Sequence, residues 1–125
     1  MTPRNDDGQA TIELALSLPV LVVLMMVMVW VAGLATDHVR VWHAAREAAR
    51  VAAVDHDPEQ IEAAAAAGGL DRLDVTVDPS PDARIRGEPV TVTVSYRPGA
   101  GVPLLGSLGG GFVMSARSTM RIERP

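Results

Sequence analysis

The chain has 125 residues, of which 48% are hydrophobic and only 3% aromatic, and its formal net charge is −4. Once its one long apolar segment is set aside, about 90 residues remain, which is enough for a small domain but not for a deep enzyme-sized core. The absence of cysteine excludes a disulfide or a thiolate metal site, and the net charge gives no sign of the basic face that a nucleic-acid partner needs.

The first element is a long apolar segment. Residues 14–35 contain no charged side chain. As a helix they would be roughly 33 Å long, which matches a bilayer hydrocarbon core of about 30 Å. We therefore predict a membrane span over residues 9–35, after a polar tail over residues 1–8. Cleavage as a secretory signal before Thr36 stays open, although the apolar run is longer than that of a usual signal peptide.

Glu13 lies at the threshold of this span. A carboxylate at the edge of the hydrocarbon is costly and is normally retained only with a partner or a purpose. The alternative is that Glu13 is a helix-start residue, favoured there by the macrodipole.

The arginines near the span bear on its orientation. Arg4 precedes it, whereas Arg40, Arg46 and Arg50 follow it. The positive-inside rule alone would therefore place the C-terminal part in the cytoplasm.

Beyond the span, residues 36–54 are predicted to continue as a helix. This helix has a broad surface of small side chains, which includes Ala45, Ala48, Ala49 and Ala52. A small-residue face permits close approach, either to neighbouring subunits or to a sheet of the same chain. Both uses are open from the sequence.

The remaining residues predict a second helix and a sheet. Asp57 as N-cap and Pro58 as first residue predict a short helix over residues 58–67. Alternation of apolar and polar residues then predicts strands at about 72–78, 89–97 and 112–123, with a flexible loop over 98–111. The fold class is therefore α+β, with residues 36–125 forming one small domain that contains an antiparallel sheet of about three strands.

Catalytic motifs are absent from the sequence, which has no Ser/His/Asp spacing, no phosphate-binding glycine loop and no HExxH. Asp55-His56-Asp57 is better explained as a loop with an N-cap, and His38 and His43 align poorly on one helical face. Because zinc needs three or four converging ligands, we predict no metal site. We also expect no enzyme activity, no cofactor and no small-molecule substrate.

Two segments, "GQATIELALSLPVL" (8–21) and "HAAREAARVAA" (43–53), resemble the TadE-like minor pilins, or pseudopilins, of the tight-adherence (Tad/Flp) pilus system. The resemblance covers about residues 4–54. It implies that residues 1–8 are a leader, which a prepilin peptidase removes on the cytoplasmic face by cutting after Gly8. Gln9 would become the new amino terminus. The resemblance also implies that Glu13 meets this amine, in its own or a neighbouring subunit, and sets the axial register of an assembled filament.

The resemblance implies a structural subunit in the bacterial cytoplasmic membrane, whose C-terminal domain lies outside the cytoplasm. Its partners would be the prepilin peptidase, other pilin subunits and the pilus assembly platform. This leader is less basic than is usual in the family, and the arginine count opposes the implied orientation. The alternative is a single-pass anchored protein with a small extracytoplasmic binding domain, which serves a secretion machine without entering fibres.

Overall fold

The computed structural model describes residues 6–98 and 112–123. These residues form two α-helices and a three-stranded antiparallel sheet, which confirms the predicted α+β class. The elements in chain order are α1 (Asp6–Ala52), α2 (Pro58–Ala66), β1 (Leu73–Asp78), a short 3-10 helix (Pro81–Ala83), β2 (Pro89–Tyr96) and β3 (Met114–Arg121). Residues 1–5 of the predicted leader and residues 99–111 of the predicted loop lie outside the described residues.

The chain divides into two compact units, Met1–Gly33 and Leu34–Pro125, which we call the N-terminal and the C-terminal unit. The described part of the N-terminal unit consists of α1 residues alone. The C-terminal unit contains the rest of α1, together with α2 and the sheet.

The sheet has the strand order β1-β2-β3, with both neighbouring pairs antiparallel. Since side chains alternate between the two faces of a strand, one face of β2 carries the buried Val90, Val92 and Val94. The opposite face carries hydroxyl side chains, and the hydroxyls of Thr91 and Thr119 lie 2.9 Å apart as a hydrogen-bonded pair across β2 and β3.

The core of the C-terminal unit joins the alanines of α1 to these valines. Ala45, Ala48, Ala49 and Ala52 have no exposed surface, and they belong to the same buried cluster as the β2 valines. The sequence left open whether this surface packs on neighbouring subunits or on a sheet of the same chain. The structure shows that it packs within the same chain. The alanine stripe, by which we mean these four residues, lies in the chain's own core and is not available to other subunits.

Helix α2 begins as its sequence predicts. The Asp57 carboxylate accepts a hydrogen bond of 3.0 Å from the backbone N–H of Glu59, and Pro58 is the first helical residue. The helix ends at Ala66, one residue before the predicted end, and buries Ile61 and Ala65 in the core.

Arg84, in the connection between β1 and β2, is the one buried charged residue in the described part of the chain. Its Nη1 donates to the backbone carbonyls of Ala52 (3.3 Å) and Asp55 (3.2 Å), and its Nε donates to that of Pro79 (3.3 Å). Since the last carbonyls of a helix have no partner within the helix, this guanidinium caps the C-terminal end of α1. Burial lowers the pKa of Arg84 from its ordinary value by desolvation.

Replacing Arg84 with methionine keeps an unbranched apolar stem but removes every donor. Carbonyls that Arg84 now binds would be left without that partner, so we expect the free energy of unfolding to fall by about 1–3 kcal/mol. Hydrogen–deuterium exchange of the β2 amides, in the detergent-solubilised full chain, measures the change. Arg86→Met is the matched control, because Arg86 is exposed, and should alter stability by less than about 0.5 kcal/mol. Equal protection in the two variants would show that the Arg84 cap does not stabilise the unit.

Candidate processing and assembly site

The three residues predicted for processing and assembly, Gly8, Gln9 and Glu13, all lie inside α1 and are exposed. The helix begins at Asp6, two residues ahead of the predicted cleavage position. The peptide bond between Gly8 and Gln9 is therefore helical in the uncleaved chain.

Among the described residues, no neighbour requires Gly8 to be a glycine for steric reasons. A Cβ atom built at this position meets nothing within 4 Å. A glycine inside a helix costs roughly 0.5–1 kcal/mol relative to alanine. The described structure thus offers no internal compensation for the cost of this glycine.

Gln9 and Glu13 are four residues apart and lie on the same side of α1. Four residues correspond to a rise of about 6 Å, and helical side chains lean toward the helix N-terminus. The Glu13 carboxylate is therefore directed toward the turn that contains Gln9. Within residues 6–98 and 112–123, Glu13 has no hydrogen-bond or ion-pair partner.

The position of Glu13 also bears on its interpretation as a helix-start residue. Glu13 lies seven residues after Asp6, the first residue of α1. The favourable interaction of a carboxylate with the helix macrodipole falls off within the first turn. In the uncut chain the helix macrodipole therefore contributes little at position 13.

The N-terminal unit exposes a continuous apolar surface. Every residue from Gly8 to Gly33 is exposed, including all the large hydrophobic side chains from Ile12 to Val31. The helix is long and apolar enough to cross a membrane. Apolar patches of this extent mark a surface that lipid or other protein covers. The hydroxyl of Ser17 donates to the carbonyl of Leu14 at 3.0 Å, so this polar group is satisfied within the helix.

The acidic residues between α1 and α2 have local structural roles. Asp55 accepts a hydrogen bond of 3.0 Å from the backbone N–H of Asp57, which itself caps α2. In the part of the chain that the structure describes, no three His, Asp or Glu side chains are placed to hold a metal ion.

Arg84 was not foreseen from the sequence. It lies two residues before Arg86, and nothing in the local pattern separates the two arginines. The difference arises from contacts with Ala52 and Asp55, which are distant in the chain.

Comparison with known proteins supports the predicted resemblance. The family model described as TadE-like protein matches residues 8–50, which is consistent with a TadE-like protein of Tad pilus systems and confirms the resemblance. The match covers about a third of the chain, includes Gly8, Gln9 and Glu13, and ends before α2 and the sheet. No curated protein and no solved structure matches the chain significantly.

Proposed function

We propose that this chain, whose residues 8–50 match the TadE-like family, is a minor pilin or pseudopilin of a Tad-type pilus and is a structural subunit rather than an enzyme. A prepilin peptidase cuts it after Gly8, and Gln9 becomes the new amino terminus. The observation that carries the proposal is Glu13, an exposed carboxylate without a described partner and the one charged residue between Gly8 and Gly33.

Cleavage after Gly8 gives Glu13 a partner. The new amine on Gln9 lies one helical turn before Glu13, so it can pair with the carboxylate of its own chain or of a neighbouring chain. When the apolar helices pack together, each charge would otherwise lie without a partner in a medium of low dielectric constant. The pair then favours one axial register, because removal of either member leaves a costly buried charge.

Gly8 is explained by the same proposal. Packing within the described residues does not need a glycine here, since a Cβ at Gly8 meets none of their atoms within 4 Å. A peptidase that reaches the Gly8–Gln9 bond has to open the helix locally, and glycine lowers the cost of opening. A side chain at this position would also crowd the scissile bond.

The proposal places the polar tail in the cytoplasm and the C-terminal unit outside it. The three arginines after the span, Arg40, Arg46 and Arg50, oppose this orientation by simple counting. However, the positive-inside rule applies to short loops, whereas long domains are translocated largely regardless of charge. The C-terminal unit, Leu34–Pro125, is a domain of the latter kind.

A reporter enzyme that is active only outside the cytoplasm, fused after Pro125, tests this orientation. We expect activity in intact cells, because the whole C-terminal unit would be outside. The matched fusion uses a reporter that is active only in the cytoplasm, and it should give no signal. Activity of the cytoplasmic reporter alone would show that the arginines determine the topology and would contradict the pilin proposal.

Processing is tested by Gly8→Leu, which should leave an uncut precursor in the membrane. Gly33→Leu is the matched control, because Gly33 lies in the same helix and also has no atom within 4 Å of a Cβ built on it. Intact-mass measurement of the proteins from native membranes should show loss of residues 1–8 in the wild type and in Gly33→Leu. An intact amino terminus in the wild type would favour the anchored binding protein instead. Shortening of Gly8→Leu by eight residues would contradict the peptidase assignment.

The role of Glu13 is tested by Glu13→Gln, which keeps the shape but removes the charge. The variant should be inserted and cut normally, yet it should enter assemblies poorly, because the Gln9 amine would lose its partner at a cost of about 3–5 kcal/mol. Recovery with a tagged major pilin, at equal membrane abundance, measures incorporation. Glu62→Gln, at an exposed position of α2, should be recovered like the wild type. Equal recovery of the wild type, Glu13→Gln and Glu62→Gln would show that assembly does not need the charge of Glu13.

A further inference from the structure

The two edge strands of the sheet carry opposite charges on the same face. The register Thr76↔Thr93↔Arg117 places the outward residues of β1 and β3 together on the polar face. On β1 these outward residues are Asp74, Thr76 and Asp78, and on β3 they include Arg117, Thr119 and Arg121. One edge of the sheet is therefore acidic and the other basic.

These charges are exposed and unused within the described structure. The four side chains make no hydrogen bond or ion pair with any described residue. In addition, β1 and β3 each pair with β2 alone among the described strands, so within residues 6–98 and 112–123 each has one side without a neighbouring strand. The backbone groups along such a side are a template for another strand.

We propose that β3 of one copy of this chain pairs with β1 of the next copy, so that the sheet continues from one copy to another. The basic edge of each copy meets the acidic edge of its neighbour. Because the two edges differ, the contact is heterologous, and it can propagate along a row of copies rather than stop at a dimer. This inference goes beyond the proposed pilin function and does not depend on it.

The spacing of the charges supports the pairing. Arg117 and Arg121 are four residues apart on β3, as Asp74 and Asp78 are on β1. Equal spacing allows a single register to bring both opposite-charge pairs face to face. In that register Thr119 lies opposite Thr76. Opposite charges on neighbouring strands, one strand spacing of about 4.8 Å apart, attract each other.

The direction of the strands is also compatible with repetition. Both β1 and β3 are antiparallel to β2, so they run in the same direction. A second copy that continues the sheet in the same orientation therefore places its β1 parallel to β3 of the first copy. Anchoring in one membrane would hold the copies close together, which raises the effective concentration of the edges for one another.

Charges on edge strands can also serve only to prevent pairing. Like charges on both edges would serve that purpose, because any two copies would then repel each other. Here Asp74 and Asp78 on one edge attract Arg117 and Arg121 on the other. The opposite charges of the two edges thus favour contact between β3 of one copy and β1 of another. They oppose contact between two β1 strands or between two β3 strands.

The absence of native cysteine makes a cross-linking test direct. In the full chain with Thr76→Cys and Thr119→Cys, a disulfide can form only between copies. Within one copy β2 separates the two positions by about 10 Å, which exceeds the limit of about 7 Å between Cα atoms for a disulfide. Mild oxidation of membranes from a host without pilus components should give a ladder of dimers and higher oligomers. The control pair Glu62→Cys and Thr119→Cys reports random collision.

Charge reversal then tests the basis of the contact. In the Thr76/Thr119 cysteine background, Asp74→Arg with Asp78→Arg should slow ladder formation at least about fivefold, because two attractions become two repulsions. Adding Arg117→Asp with Arg121→Asp should restore the rate. Raising the salt concentration should slow cross-linking of the unreversed pair, since salt screens exposed charges.

The proposal is overturned if the ladder does not exceed that of the collision control, or if reversal of one edge and added salt both leave its rate unchanged. Protection of the β2 amides from hydrogen exchange reports whether a reversed variant is folded. If a reversed variant were unfolded, the test would rest on the variant with Thr76→Cys and Thr119→Cys alone. A cross-linking rate of that variant that does not change with salt would then overturn the proposal.

Discussion

The C-terminal unit depends on the burial of the alanine stripe of α1 with the valines of β2. With an aromatic content of 3%, the core relies on small and branched side chains that fit closely. Larger side chains at Ala48 or Ala49, which have no exposed surface, would overpack this core at a cost of about 1–3 kcal/mol. Since the stripe is occupied inside the unit, it is not available for a contact with another chain.

Polar groups connect the end of α1 to the rest of this unit. Arg84 binds the carbonyls of Ala52 and Asp55, and the backbone N–H of Glu123 donates to the carbonyl of Ala53 at 2.8 Å. These hydrogen bonds satisfy carbonyls that a helix terminus leaves free. They also join the β1–β2 connection and the segment after β3 to the same helix end, so the end of α1 is held by two parts of the chain that are far apart in sequence.

Much of this architecture follows from local patterns in the sequence. Alternation along residues 72–78 and 89–97 predicts β1 and β2 to within one residue, and Asp57 with Pro58 predicts the start of α2. The role of Arg84 could not be predicted, because it depends on carbonyls about thirty residues away in the chain. The packing of the alanine stripe stayed ambiguous for a similar reason, since a small-residue face suits a sheet or another helix equally well. The structure of the chain alone leaves the roles of Gly8, Gln9 and Glu13 as predictions.

Two features of the N-terminal unit lack a partner within the described chain, namely its apolar surface and the Glu13 carboxylate. Lipid can provide a partner only for the apolar surface. Hydrocarbon can cover the apolar surface of α1 from Ile12 to Val31, but it would offer no counter-charge to Glu13. In the proposed pathway an uncut subunit lacks the amine on Gln9, so packing its helix among others would bury the Glu13 carboxylate without a partner. A cut subunit carries that amine one turn away. The cost of an unpaired buried charge would then make assembly conditional on cleavage, with no further recognition of the cut end required.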